Sequence, residues 1–259
     1  GNGVKDAPSV KRANIGVSMG VTGTDVAKEA ADMILLDDNF STIVKAVKEG
    51  RRIYDNILKF IKYLMTTNSS EIMVLLMGPM MGLPIALLPI HILWINLVSD
   101  GLPAISLSYE KAEKNIMERP PRPPQESIFG KGRGLHIVWV GVLMAGVVLI
   151  AQAWAIKNGL HWQTIVFNVL SLSQMGHLMA IRSERQSIFS LGFLSNRRLA
   201  GAVLLVLILQ FAITYSPPLQ RIFKTESLNW NELLLVTASS SVVFLFVEIE
   251  KVFLRKKCC

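Results

Sequence analysis

The chain has 259 residues, 51% of them hydrophobic, with a mean hydropathy of +0.42 and a formal net charge of +8. That average is high for a soluble domain, and the two cysteines, Cys258 and Cys259, sit together at the end, which rules out a disulfide framework and fits a reducing compartment. The basic excess lacks the stripe or interleaved aromatics of a nucleic-acid surface, so no nucleic-acid partner is expected.

Residues 1–50 carry Gly, Asp and Lys in loop-like positions and contain no long apolar run. They predict a soluble segment ahead of a membrane segment at 51–259. The opening "GNGVKDAP" reads as a loop, not as a signal peptide, and the expectation is a piece of a longer protein. Asp37 and Asp38 in "LLDDNF" are expected to shape a turn into the next element. From position 40 onward about 38 residues contain one glycine, Gly50, and no proline. Ile43, Val47, Ile53, Ile57 and Ile61 keep helical spacing, which predicts one long helix entering the bilayer.

Apolar runs of about 20 residues are long enough to cross a hydrocarbon core of about 30 Å. They predict six spans, at about 57–77, 84–107, 135–156, 165–181, 199–215 and 233–253. The fourth is the most polar, holding Asn168, Ser171, Ser173, Gln174 and His177. The connections at 110–133 and 182–198 and the tail at 250–257 are rich in Lys and Arg, whereas the intervening ones are not. The positive-inside rule then places the basic loops and both termini in the cytoplasm. Gly141 and Ala145 predict close helix packing, the tryptophans suggest interfacial belts, and the proline-rich 118–126 reads as a stiff connector.

Within the spans, Asn68 and Glu71 share a helix face, and Asn96, Ser99 and Asp100 lie at i, i+3 and i+4. Gly101 and Pro103 follow directly, and predict a weakened helix with freed carbonyls. This set offers only oxygen: two carboxylates, two amides and a hydroxyl, a donor chemistry suited to a hard cation such as calcium. No Cys or His adjoins it, which argues against zinc or copper, and His91 reads as an interfacial histidine. An interhelical hydrogen-bond network is the plain alternative, weakened by two carboxylates with no basic partner on the same spans.

"GNGVKDAP" with "ANIGVSMGVTGTDVAKEAADMILLDDNF" resembles the end of the phosphorylation domain of P-type ATPases. The stretches "YLMTTNSSE" and "LWINLVSDGLPAISLSYEKAEKNIMERPPR" look like spans five and six of the type II branch. The resemblance covers essentially the whole chain and is most specific through about residue 135. It implies a mainly α fold, a six-helix transmembrane bundle preceded by a partial α/β segment of the haloacid-dehalogenase type. It also implies an ATP-driven, magnesium-dependent cation pump that works through an aspartyl phosphate. Asn96, where sodium/potassium pumps carry aspartate, makes calcium the leading ion. By the same resemblance Asp100 bridges ions, and Gln174 stands where calcium pumps carry a glutamate, so one ion per cycle with proton countertransport is expected in place of two. In the hinge loop Asn2 replaces the aspartate that would hold Mg2+ and Lys5 replaces an asparagine, whereas Asp6 is retained. Catalysis in the parent protein is therefore expected to be impaired or rewired. The phosphorylated aspartate and the nucleotide-binding domain are absent from this stretch, so ATP hydrolysis is assigned to the parent, with its N-terminal part and the lipid bilayer as partners. The compact loops suggest a bacterial plasma membrane. The alternatives are a sodium, potassium or proton pump of the same family, or a degenerate, non-catalytic membrane module.

Overall fold

A computed structural model describes residues 1–113, 115–123, 125–130, 132–183 and 186–256. The cysteine pair at 258–259 and the basic-loop positions 114, 124, 131, 184 and 185 lie outside them. The chain divides into two compact units, one of Gly1–Tyr54 with Ala112–Pro120, the other of Asp55–Lys111 with Pro121–Cys259.

The first unit opens with a 3-10 turn, Val4–Asp6, and a short helix α1, Ala7–Arg12. A single βαβ unit follows: β1 (Val17–Met19), α2 (Asp25–Glu29) and β2 (Met33–Leu35), the strands parallel with Val17 opposite Met33. Gly23 is required where it stands, because a Cβ there would lie 2.0 Å from Met19 O. The two aspartates of "LLDDNF" do shape the turn. Asp37 accepts from Thr42 Oγ1 at 2.6 Å, and Asp38, at a positive φ of 49°, accepts from the Val21 and Thr22 amides and from Thr22 Oγ1. The Thr22 hydroxyl and these amides hold the Asp38 carboxyl down at about 2. Its residue tolerates the left-handed conformation that the turn needs.

Helix α3 then runs without interruption from Phe40 to Met80, 41 residues, as the sequence predicts. Asn39 caps its start by accepting from Ser41 N at 2.9 Å. It ends at Met80, with Gly78 and Pro79 in the last turn and Gly82 at a φ of 78° just beyond.

The second unit contains the remainder of α3 and α4 (Pro89–Trp94), a π-helical turn (Ile95–Asp100), α5 (Gly101–Leu107), α6 (Arg133–Lys157) and α7 (Trp162–Ala180). It continues through α8 (Ile188–Leu191), α9 (Arg197–Tyr215), α10 (Pro217–Phe223) and α11 (Trp230–Lys256). Its core is packed by Val140, Met144 and Val148 of α6, Phe167, Leu170 and Leu178 of α7, and Val236, Val243 and Val247 of α11, all fully or almost fully buried. Gly141 lets α6 approach α3 closely: a Cβ there would meet Ser69 Oγ at 3.2 Å and Thr66 O at 3.6 Å.

Four described helical stretches are long and apolar enough to cross a membrane: Pro89–Leu107, Arg133–Lys157, Arg197–Tyr215 and Trp230–Phe253. The sequence predicts six. The other two, on α3 and α7, are helical where expected but fall short in apolar composition, because α3 carries Lys59, Lys62 and Glu71 and α7 carries Asn168, Gln174 and His177. The predicted break at Gly101 and Pro103 is also replaced by something milder. The chain stays helical through both, and the π turn at Ile95–Asp100 absorbs the irregularity just before them. Proline lacks a backbone donor, and a widened turn is one way to accommodate it in a continuing helix.

One buried knot ties the ends of several helices. Arg182, 1% exposed, donates from Nε to Glu110 Oε2 at 3.0 Å and from a terminal nitrogen to Glu110 Oε1 at 3.1 Å. The same guanidinium reaches Gly192 O, Phe193 O and Ser195 Oγ, while Asn196 at the start of α9 donates to Glu110 Oε2 at 3.1 Å. Asn56 of α3 closes the knot by donating to Ser108 O and Glu110 O. Removing one partner strands a buried carboxylate, so Arg182→Ala is expected to cost about 3–5 kcal/mol of stability. Arg182→Lys should recover only part of that, because an ammonium cannot fork. Unfolding titrations of the three proteins in mixed micelles measure the difference.

Candidate functional site

The spacing of α3 puts Glu71 one turn beyond Thr67 and Asn68, and the site forms where this helix meets the π turn and α7. Glu71 is 4% exposed. Its Oε2 accepts from Asn96 Nδ2 and its Oε1 from Gln174 Nε2, both at 2.9 Å, so one carboxylate joins three segments. Asn96 Nδ2 also donates to Ile92 O at 3.0 Å. Asp100 is fully buried, and its Oδ1 accepts from Tyr63 Oη at 2.7 Å. Among the described residues no Lys or Arg pairs with either carboxylate in a salt bridge.

Three buried polar atoms here have no hydrogen-bond partner among the described residues: Ser99 Oγ, Asp100 Oδ2 and Gln174 Oε1. Such atoms are rare in packed interiors, and here they lie beside two buried carboxylates that have no basic partner among the described residues. The π turn contributes by carrying Asn96, Ser99 and Asp100 together, a use to which such turns are often put.

The predicted donors therefore divide. The structure links Glu71, Asn96 and Gln174 directly and buries Ser99 and Asp100. Asn68 is only partly buried and makes no side-chain hydrogen bond among the described residues, although it shares a helix face with Glu71. Tyr63, 0% exposed, was not legible as a site residue, since nothing in its own neighbourhood of sequence ties it to Asp100. His91, expected near a membrane interface, lies in the first turn of α4. It is fully enclosed, stacked on Phe167 at 4.4 Å, with Nδ1 accepting from Leu88 N and Nε2 2.6 Å from Phe223 O. It clamps α4 to α7 and to the end of α10.

In the first unit, Asp6 Oδ2 accepts from the amides of Asn2 (2.9 Å) and Gly3 (3.0 Å). These bonds, that of Gly3 foremost, pull its carboxyl below the ordinary range. Asn2 and Lys5 are both exposed. Mg2+ prefers charged oxygen donors, and this loop offers one carboxylate with an oxygen already engaged, a neutral amide and a cation. The loop residues do not fit a magnesium ion by themselves.

Residues 84–253 match the family model described as "Cation transporting ATPase, C-terminus". Similar proteins include the calcium-transporting ATPase of Bacillus subtilis (strain 168), 46% identical over 246 residues that make up 93% of this chain and 28% of that protein. The calcium-transporting ATPase 1 of Yarrowia lipolytica is 38% identical over 260 residues, 99% of this chain and 28% of its own length. The human calcium-transporting ATPase type 2C member 1 is 38% identical over 254 residues, 97% of this chain and again 28% of its own. The chain thus spans less than a third of the length of these relatives. With two thirds of its residues under one family model, it belongs to the C-terminal region of the cation-transporting P-type ATPases.

Proposed function

We propose that the chain is the ion-binding membrane portion of an ATP-driven pump that exports calcium, with one ion held by Glu71, Asn96, Ser99 and Asp100 and a contribution from Gln174. The observation that carries this reading is the pair of buried carboxylates without a basic partner, surrounded by unsatisfied oxygens. Calcium takes about six to eight oxygens in a flexible shell of charged and neutral donors. The amides of Asn96 and Gln174 point their nitrogens at Glu71 in this arrangement, and turning them over would offer two carbonyl oxygens to an entering ion. Gln174 in place of a carboxylate leaves too little negative charge for a second calcium, which supports one ion per cycle. Asn68 stands as a peripheral donor that joins only on a small rotation of α3.

In this reading α3 and α7 cross the membrane with the four apolar stretches, α3 turning Met65, Ile72 and Leu76 outward to lipid, and the basic loops face the cytoplasm. The named relatives, each a calcium-transporting ATPase, support the choice of calcium, the phosphorylated intermediate follows from the resemblance of the opening loop to a phosphorylation domain, and the ATP and Mg2+ sites belong to the longer protein. Two substitutions test the ion site in the full-length pump. Glu71→Gln and Asp100→Asn should each weaken the calcium dependence of ATP hydrolysis about 10–100-fold, the loss expected when a charge-assisted contact is removed. Full calcium-stimulated turnover in both would remove the assignment, and stimulation by sodium or potassium in place of calcium would move the pump to another branch of the family.

The hinge loop favours a second reading, a membrane module whose phosphorylation chemistry has decayed, since Asn2 and Lys5 do not fit magnesium. Restoring Asn2→Asp with Lys5→Asn in the full-length protein is expected to raise phosphoenzyme formation measured from labelled ATP. No gain would show that catalysis does not depend on those two positions.

A further inference from the structure

Three of the four histidines are tied down. Both ring nitrogens of His91 are engaged with backbone, His136 Nδ1 lies 2.6 Å from Glu250 Oε2, and His161 lies between Glu226 and Glu232. His177 differs. It is 0% exposed, one turn beyond Gln174 on α7, and neither of its ring nitrogens has a hydrogen-bond partner among the described residues. An imidazole buried in this way forfeits about 1–3 kcal/mol for each unmet polar atom, so the position is not explained by packing. A hard cation does not explain it either, since such ions prefer oxygen.

The ring's neighbours give it a direction. On one side it stacks on Tyr63 at 6.0 Å, the residue whose hydroxyl donates to Asp100. On the other it stacks on His136 at 5.5 Å. His136 and its partner Glu250 line a cavity of about 150 Å³ together with Lys62, Arg133 and Lys251. The charged and titratable groups that face His177 are Lys62 and Tyr63 from α3, His136 from α6 and Lys251 from α11, while Glu250 reaches it only through His136, and His177 itself does not line the cavity.

We propose that His177 is a proton relay between this cavity and the interior beside Tyr63, working through water bound at its two open nitrogens. A neutral imidazole accepts a proton at one nitrogen and releases the proton carried by the other. Each proton taken from water on the cavity side is matched by one given to water on the inner side, and a half-turn of the ring about its Cβ–Cγ bond then brings the protonated nitrogen back to the inner side for the next transfer. No lasting charge is needed, which suits a site faced by two lysines. The three tied histidines cannot do this without breaking a bond. The relay's link to calcium transport rests on the cation reading above; the ring's exchange with water does not.

The test uses the full-length pump in two ways. In proteoliposomes loaded with pyranine, His177→Phe keeps an aromatic ring between Tyr63 and His136 but removes both nitrogens. It should lower the protons moved per calcium at least about fivefold, and an unchanged ratio would overturn the proposal. In nanodiscs with 15N-labelled histidine, assigned by single substitutions at the other three positions, the His177 ring should average between tautomers and exchange rapidly with water, with His91 as the fixed control. A single, slowly exchanging tautomer at His177 would refute the relay even if the phenylalanine variant did not fold. Rapid exchange without any ion-stimulated turnover would leave the relay standing and sink the cation reading; turnover with a fixed ring would do the reverse.

Discussion

A carboxylate taken out of water without a basic neighbour carries a penalty of several kcal/mol, which only a proton, a dense set of donors or a cation can offset. Glu71 meets that constraint with two amide donors, Asn96 and Gln174, each from a different segment. Asp100 meets it with one, the Tyr63 hydroxyl, and keeps its other oxygen unsatisfied. Two features of the second unit bring the segments that carry these groups together. The π turn brings Asn96, Ser99 and Asp100 toward α3, and Gly141 lets α6 close against α3 behind them.

Rigidity around the site comes from packing rather than from charge. The α6, α7 and α11 interface is built from branched and aromatic side chains that leave little room for adjustment, and such cores switch between discrete arrangements more readily than they deform. The exception is the Arg182–Glu110 knot, where a forked ion pair, two carbonyls and two asparagines join α3, the end of α5, the end of α7 and the start of α9. Buried pairs of this kind contribute less to net stability than to fixing which groups meet. The same unit therefore combines a satisfied charge network with an unsatisfied one, and the proposed ion site falls on the unsatisfied one.

Much of this was legible in the sequence and some of it could not have been. Run length and spacing located the helices, and the residue types alone singled out Glu71, Asn96, Ser99 and Asp100 as misfits in apolar surroundings. Those signals are local. Tyr63 looks ordinary in its own segment, and His177 stands out only as one polar residue among several; what sets them apart is contact with residues 37 and 41 positions away. Arg182 reads as one more basic residue of a positive loop, yet it is almost wholly buried against Glu110. Hydropathy singles out four of the six expected crossings for a related reason. Two helices that periodicity treats like the others carry the polar residues of the interior, which lowers the very hydropathy by which a span is recognised. The break expected at Gly101 and Pro103 became a π turn because a helix can widen by one residue at less cost than losing its bonds altogether.

The central claim is that oxygens from α3 and from the Ile95–Asp100 turn surround a single calcium ion. The most direct measurement is anomalous diffraction from crystals of the full-length pump grown with a lanthanide in place of calcium. The account predicts one strong peak between the two segments, about 2.3–2.6 Å from oxygens of both Glu71 and Asp100. A pump that binds the ion with its peak elsewhere, with Glu71 still closed between the Asn96 and Gln174 amides, would contradict it.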